Sequence, residues 1–325
     1  MEAKLVAELP GGEAWQYEPK FDGFRCLAFK DDGEVDLRSK SGQPFNRYFP
    51  EVVAALENTP VRSFVLDGEL VVPEGSALSF DQLLMRIHPA RSRVEKLSRE
   101  SPALFVVFDL LVDEKGNSLV DEPLAARRVA LERFVERYVS GALVPDPRVR
   151  LSPQTTEKRA AEDWLHSLGT GLDGVMAKRR DLPYQTGERT GMQKFKRMRS
   201  ADCVVGGFRY ASKAPVVGSL LLGLYDDAGL LNHVGFTSSI KAIEKPALTK
   251  KLEGLRREPG FTGNKPGGPS RWSTKRSAEW EPLATKLVIE VQYDHFTGGR
   301  FRHGTRFLRW RPDKKPSQCL LTQVH

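Results

Sequence analysis

The sequence predicts an α+β protein of two domains: a first of mixed strands and helices, and a second built as a small β-barrel of the OB type. Three observations carry this. The 325 residues suffice for two separate cores. Before about residue 199, strand-like and helix-like segments alternate irregularly, which suits α+β layers rather than a regular βαβ series. After it, short apolar segments separated by Gly, Asp and Ser surround one helical stretch, the arithmetic of a small barrel. The boundary is expected near 199–202, giving domains 1–199 and 200–325.

In chain order, Phe24–Phe29, Val35–Arg38, Phe64–Val72 and Leu104–Leu111 read as strands, each short, rich in Val, Leu and Phe, and bounded by Gly, Pro or charge. Ser79 before Phe80-Asp81-Gln82 reads as a helix N-cap. Pro123–Tyr138 is the clearest helix, with Pro123 in its first turn and an apolar stripe of Leu124, Ala130, Leu131, Phe134, Val135 and Tyr138. Thr156–Leu168 predicts another, ended near Gly169 and Gly171. Strands return at Gly174–Lys178 and Gln193–Lys196. In the second domain Val204–Tyr210, Ser219–Tyr225, Leu230–Phe236 and Leu287–Tyr293 read as strands, Ile240–Leu255 as a helix and Gly260–Pro269 as a flexible loop.

Composition excludes several classes. Apolar residues make up 40% and charged residues 28%, an ordinary globular balance. No apolar run approaches the roughly 20 residues of a membrane span, and MEAKLVAELP lacks the pattern of a signal peptide. Three widely spaced cysteines, Cys26, Cys203 and Cys319, suit neither a disulfide framework nor a zinc site. A metal, if used, is expected to be a hard cation held by oxygens. The net charge of +8 is uneven: from Ala201 onward there are 20 Lys and Arg against 11 Asp and Glu, and the first 200 residues hold the remaining 30 and 31. The excess positive charge therefore lies in the second domain, which suits a phosphate-rich partner.

No Walker-type Gly-Lys-Ser/Thr loop is present. The residues that suggest nucleotide chemistry are Tyr17-Glu18-Pro19-Lys20-Phe21-Asp22-Gly23-Phe24-Arg25. A lysine among apolar rings has a carboxylate two residues on and a guanidinium five on. A neutral amine attacks phosphorus and an ammonium does not, and burial or neighbouring cations push a lysine toward the neutral form.

KFDGFR resembles the signature of the covalent nucleotidyltransferases, which include ATP-dependent DNA ligases, RNA ligases and mRNA capping enzymes. The family's other motifs follow in order: Ser39-Lys40-Ser41-Gly42, Leu66-Asp67-Gly68-Glu69, Phe105–Leu111, Leu172–Lys178, Gln193-Lys194-Phe195-Lys196 and Arg311-Pro312-Asp313-Lys314. The likeness spans residues 15–320 and is greatest to the minimal, two-domain bacterial C-type ATP-dependent DNA ligases. It implies an adenylation (nucleotidyltransferase) domain followed by an OB-fold DNA-binding domain.

Residue by residue, the resemblance implies that Lys20 takes AMP from ATP. Glu18 contacts the adenine edge and Phe108 stacks on the ring. Arg25 and Lys40 contact the ribose or the DNA 5′-phosphate. Glu69 and Asp173 bind Mg²⁺ or Mn²⁺. Lys194 and Lys196, two apart on one strand face, cradle the α-phosphate, and Arg311 and Lys314 stabilise departing pyrophosphate. The second domain is expected to swing about a hinge near Ser200 between nucleotide and DNA. Three departures stand out: Asp173 replaces the usual Glu, Lys40 the usual Arg with its bidentate fork, and Gln193 a bulky residue. The implied activity is sealing of a 3′-hydroxyl to a 5′-phosphate in DNA repair, replication or recombination. The implied enzyme is a soluble cytoplasmic monomer at the nucleoid. Its partners are nicked double-stranded DNA and, among proteins, repair polymerases or end-binding proteins. RNA ligation, guanylyl transfer and a non-catalytic DNA end-binding scaffold are the alternatives; Glu18 favours adenine over guanine, and the basic second domain favours duplex DNA.

Overall fold

In the computed structural model, which describes residues 1–139, 148–167, 172–196, 198–267 and 279–324, the chain divides into two units, Met1–Arg197 and Met198–His325.

The first unit holds two sheets. Strands β1 (Lys4–Val6) and β2 (Trp15–Phe21) open the chain, followed by β3 (Phe24–Asp31), β4 (Glu34–Ser39), helix α1 (Pro50–Glu57) and β5 (Phe64–Val71). A small hairpin, β6 (Pro73–Glu74) and β7 (Ala77–Leu78), leads to helices α2 (Phe80–Arg86) and α3 (Arg91–Glu100). Then come β8 (Leu104–Val112), α4 (Leu124–Tyr138), β9 (Val149–Leu151), α5 (Lys158–Ser167), β10 (Leu172–Arg179) and β11 (Met192–Lys196). One sheet runs β4-β3-β5-β8-β9 and the other β1-β11-β10-β2.

Period-2 burial along the first sheet turns Cys26, Ala28, Leu66 and Phe105 onto Val52 and Leu56 of α1 and Leu131 and Phe134 of α4. Lys30 continues the inward row of β3. Its ammonium is tolerated in the interior because it donates to the carbonyls of Leu56 (2.9 Å), Glu57 (2.9 Å) and Thr59 (3.0 Å) at and just beyond the C-terminal end of α1, where cations are favoured. In the second sheet, Tyr17, Val175 and Ala177 face one way, onto Ala161 and Trp164 of α5. The alternate residues face the other way, toward the cleft described below.

The second unit comprises β12 (Arg199–Ala211), β13 (Ala214–Tyr225), β14 (Leu231–Thr237), α6 (Lys245–Glu253), β15 (Glu281–Pro282), β16 (Val288–Tyr293), a hairpin of β17 (Phe296–Thr297) and β18 (Arg300–Phe301), and β19 (Arg306–Trp310). Its main sheet runs β14-β13-β12-β16-β19, and β15 pairs with β12. A parallel bridge between Thr237 and Thr305 joins its two ends, with the Thr305 amide donating to Phe236 at 3.0 Å and the Thr237 hydroxyl to the Thr305 carbonyl at 2.9 Å. Leu220, Leu222, Val234, Ile289 and Val291 fill the interior. This is an OB-type barrel with α6 between its third and fourth strands.

The expected strands and helices all lie within observed ones, apart from one-to-several-residue differences at the ends, and Ser79 caps α2 by accepting from the Gln82 amide at 3.3 Å. Pro123 is the N-cap of α4 rather than a first-turn residue. Leu168, Gly169 and Gly171 lie outside the described residues, as do the last two residues of the 260–269 loop. Strands β1, β2, β6, β7, β9, β15, β17, β18 and β19 and helices α1 and α3 carry no prior expectation. The strand β2 is masked in the sequence by Pro19, which a strand tolerates at a sheet edge, and β2 is an edge.

Candidate active site

A cleft of about 260 Å³ in the first unit is lined by Glu18, Lys20, Arg25, Lys40, Glu69, Phe108, Met176, Lys178 and Lys194 among others. The ladder explains the convergence. Met176 of the central strand β10 stands opposite Glu18 of β2 and Lys194 of β11, and Gly174 stands opposite Lys20 and Lys196. The even-numbered residues of all three strands thus share one face, while Tyr17, Val175 and Ala177 between them are buried against α5.

Gly174 sits at φ +148°, and a Cβ there would come within 1.9 Å of the Phe195 carbonyl oxygen. Only glycine fits between the two lysines. The register shifts between Leu172 and Gly174, and this irregularity accompanies a buried Asp173 carboxylate that pairs with Lys20 and, at 3.2 Å, with Lys196. Lys20 keeps a side-chain exposure of 21%, so its amine is held yet reachable. Burial, reinforced by the charges of Lys20 and Lys196, holds Lys194 below the usual lysine range.

Glu18 is not an exposed strand carboxylate. It is 1% exposed, accepts from Gln16 Nε2 at 2.8 Å and pairs with Lys178 Nζ at 2.7 Å. The Lys178 ammonium also lies 4.2 Å from the centroid of Phe108. Phe105 and Val107 of β8 face the core, so Phe108 faces the cleft by alternation. In the ladder between β5 and β8, Asp67 opposes Asp109 but Gly68 opposes Val107. This bulge at Phe108 keeps Asp109 on the same side while Leu110 returns to the core. Arg25 is anchored by a fork to Asp67, Nε to Oδ1 at 3.0 Å and Nη2 to Oδ2 at 2.6 Å, and Tyr184 donates to the same carboxylate at 2.8 Å. Lys40 lies at the exposed rim, paired with Glu2 at 2.8 Å. Arg311 and Lys314 belong to the second unit, where they converge on Asp202 at 2.8 and 2.7 Å.

Residues 3–196 match the family model described as ATP dependent DNA ligase domain, and residues 213–314 match ATP dependent DNA ligase C terminal region. The chain belongs to the ATP-dependent DNA ligase family. DNA ligase C2 of Mycolicibacterium smegmatis is 41% identical across 100% of this chain and 93% of its own length. DNA ligase C of Mycobacterium tuberculosis is 37% identical, with 100% and 92% covered. A solved structure from a structure-function study of Lig E DNA ligases shares the fold at a TM-score of 0.57 and 18% identity, covering 96% of this chain and all of that one.

In this ligase the two carboxylates expected to hold a divalent cation differ in setting. Burial pushes Glu69 up to about 7 even though Lys20 and Arg25 pull the other way; a carboxylate so poorly compensated fits a hard cation. Asp173 is already compensated by two lysines. Glu69 is therefore the residue that fits the metal, and Asp173 fits it only by releasing its lysines. Sequence reasoning missed Lys178, Gln16 and Tyr184. Lys178 carried a usable signal, since it follows Gly174 and Met176 in the same period-2 row; Tyr184 lies in the loop after β10 and carried none.

Proposed function

We propose that the ligase joins a 3′-hydroxyl to a 5′-phosphate at nicks in DNA through an AMP bonded to Lys20. The observation that supports this most directly is the row of Lys20, Lys194 and Lys196 on one sheet face, beside a buried carboxylate and a bulged aromatic ring. Glu18 reads the edge of adenine and Phe108 supplies the stacking surface. Lys20 Nζ, on losing its proton, bonds to the α-phosphorus of ATP as the bond to the β-phosphate oxygen breaks and pyrophosphate leaves. Lys194 and Lys196 lie on the same face and offset the charge that gathers on the α-phosphate oxygens. An oxygen of the DNA 5′-phosphate then takes the adenylyl group and frees the lysine. Last, the 3′-oxygen bonds to the activated 5′-phosphorus and AMP departs. All three are in-line displacements, so alignment and charge supply the catalysis.

Glu69, with Asp173 where its lysines yield, would hold Mg²⁺ or Mn²⁺, which supplies charge stabilisation at phosphate oxygens. Arg311 and Lys314 serve pyrophosphate departure, and Arg25 and Lys40 the ribose or the 5′-phosphate. The basic barrel is the DNA-binding part. Incubation with labelled ATP and Mg²⁺, then denaturing electrophoresis and peptide mapping, tests the reading. Label on Lys20 that disappears in Lys20→Ala is expected, and an unlabelled wild-type protein would refute it.

A further inference from the structure

Lys178 has no part in the chemistry above, yet it touches both groups proposed to bind the base. Its side chain is 5% exposed and its ammonium lies 2.7 Å from Glu18 Oε2 and 4.2 Å from the Phe108 ring centroid. Strand register fixes this: Lys178 stands opposite Gln16, and Met176 opposite Glu18, so Lys178 reaches Glu18 diagonally across one sheet face. Gln16 Nε2 donates to the other carboxylate oxygen, Oε1, at 2.8 Å. One donor on each oxygen fixes the carboxylate's plane, and each oxygen has a second lone pair to offer.

We propose that Lys178 is a positioning residue that sets base selection: pairing with Glu18 makes its carboxylate a rigid, acceptor-only group beside Phe108. Such a group accepts from the 6-amino group of adenine and repels the 6-keto oxygen of hypoxanthine or guanine. A buried carboxylate stripped of its cation turns to find another donor or takes up a proton. A protonated carboxyl donates as well as accepts, so the exclusion of 6-keto purines is lost. This inference rests on the assignment of Glu18 and Phe108 to the base.

The test measures kcat and KM for lysine nucleotidylation with ATP and with inosine triphosphate, in the full chain and in Lys178→Met, Lys178→Gln, Lys178→Arg and Glu18→Gln. A hydrogen bond to a charged group sets the scale at roughly tenfold or more. Lys178→Met is expected to reduce the preference for ATP by at least about tenfold, chiefly through KM, and Lys178→Arg to recover most of it. Equal losses with both nucleotides in Lys178→Met, alongside changed selectivity in Glu18→Gln, overturn the role of Lys178 alone. Unchanged selectivity in Glu18→Gln overturns the base assignment itself, and this inference with it. Should Lys178→Met not fold, Lys178→Gln decides: a neutral donor of similar size should lose selectivity, and retained selectivity refutes the charge argument.

Discussion

Replacing Gly174 by alanine tests the geometry of the site without removing any functional group. The residue stands between Lys20 and Lys196 in the ladder, at a φ of +148° that side-chain-bearing residues rarely adopt, and a Cβ there meets the Phe195 carbonyl oxygen at 1.9 Å and Lys196 Cα at 3.0 Å. Ordinary contact begins near 3.4 Å, so backbone must move by about 1.5 Å. A flexible side chain could yield, whereas a carbonyl held in the β10–β11 ladder yields only by breaking that ladder. Backbone strain of about 1–3 kcal/mol and one or two ladder bonds at about 1 kcal/mol each give a loss of about 2–5 kcal/mol. For a unit of this size that lowers its Tm by roughly 5–15 °C. Lysine adenylation should fall by more than the folded fraction accounts for, because Lys20 and Lys196 no longer flank one carboxylate. Thermal denaturation followed by labelling at a temperature where the variant is folded reads both effects. Gly11→Ala is the control, since a Cβ there meets nothing within 4 Å. A Gly174→Ala protein with unchanged Tm and unchanged labelling would refute the account of why glycine stands there.

Further outcomes follow from other groups. Arg127 forms a buried fork with Asp109 (2.8 and 2.9 Å), so Arg127→Met should destabilise the first unit by about 3–5 kcal/mol in chemical denaturation, and adding Asp109→Leu should restore part of it. Burial and the charges of Arg300 and Arg209 push His233 down to about 3. The unfolded chain takes up that proton below about 6.5 and the folded chain does not, so stability falls as pH drops, by about 2 kcal/mol at pH 5; His233→Gln should flatten this limb of the stability profile. Glu69→Gln should raise the Mg²⁺ concentration needed for half-maximal labelling about tenfold or more while leaving Tm in chelator equal or higher, and an unchanged metal requirement would remove Glu69 from the metal site. Arg311→Ala should slow lysine adenylation and spare sealing of nicks supplied already adenylylated, and equal loss of both activities would refute the pyrophosphate role.

The sequence by itself determined the family, the two-part organisation, and most strands and helices, because these are written locally. Short runs rich in Val, Leu and Phe such as Phe64–Val72, and the helical stripe of 124–138, need no distant partner to be recognised. The motif around Lys20 is contiguous, and so are the pairs Lys194 and Lys196 and Asp67 and Glu69. Tertiary structure decided what those residues face. That Asp173 pairs with Lys20 depends on an irregularity in a ladder between strands about 150 residues apart in sequence. That Glu18 is buried rather than exposed depends on Lys178 reaching it across the same ladder. Phe108 alternates with the core-facing Phe105 and Val107 and so faces the cleft, and the bulge opposite Asp67 and Gly68 returns Leu110 to the core. Arg25 and Tyr184 meet on Asp67 from opposite ends of the unit's sequence. The physical reason is common to all of these. Side-chain direction in a sheet is fixed by pairing register, and a single extra residue or a glycine that admits a close backbone reverses it, while local sequence records the strand and not its partner.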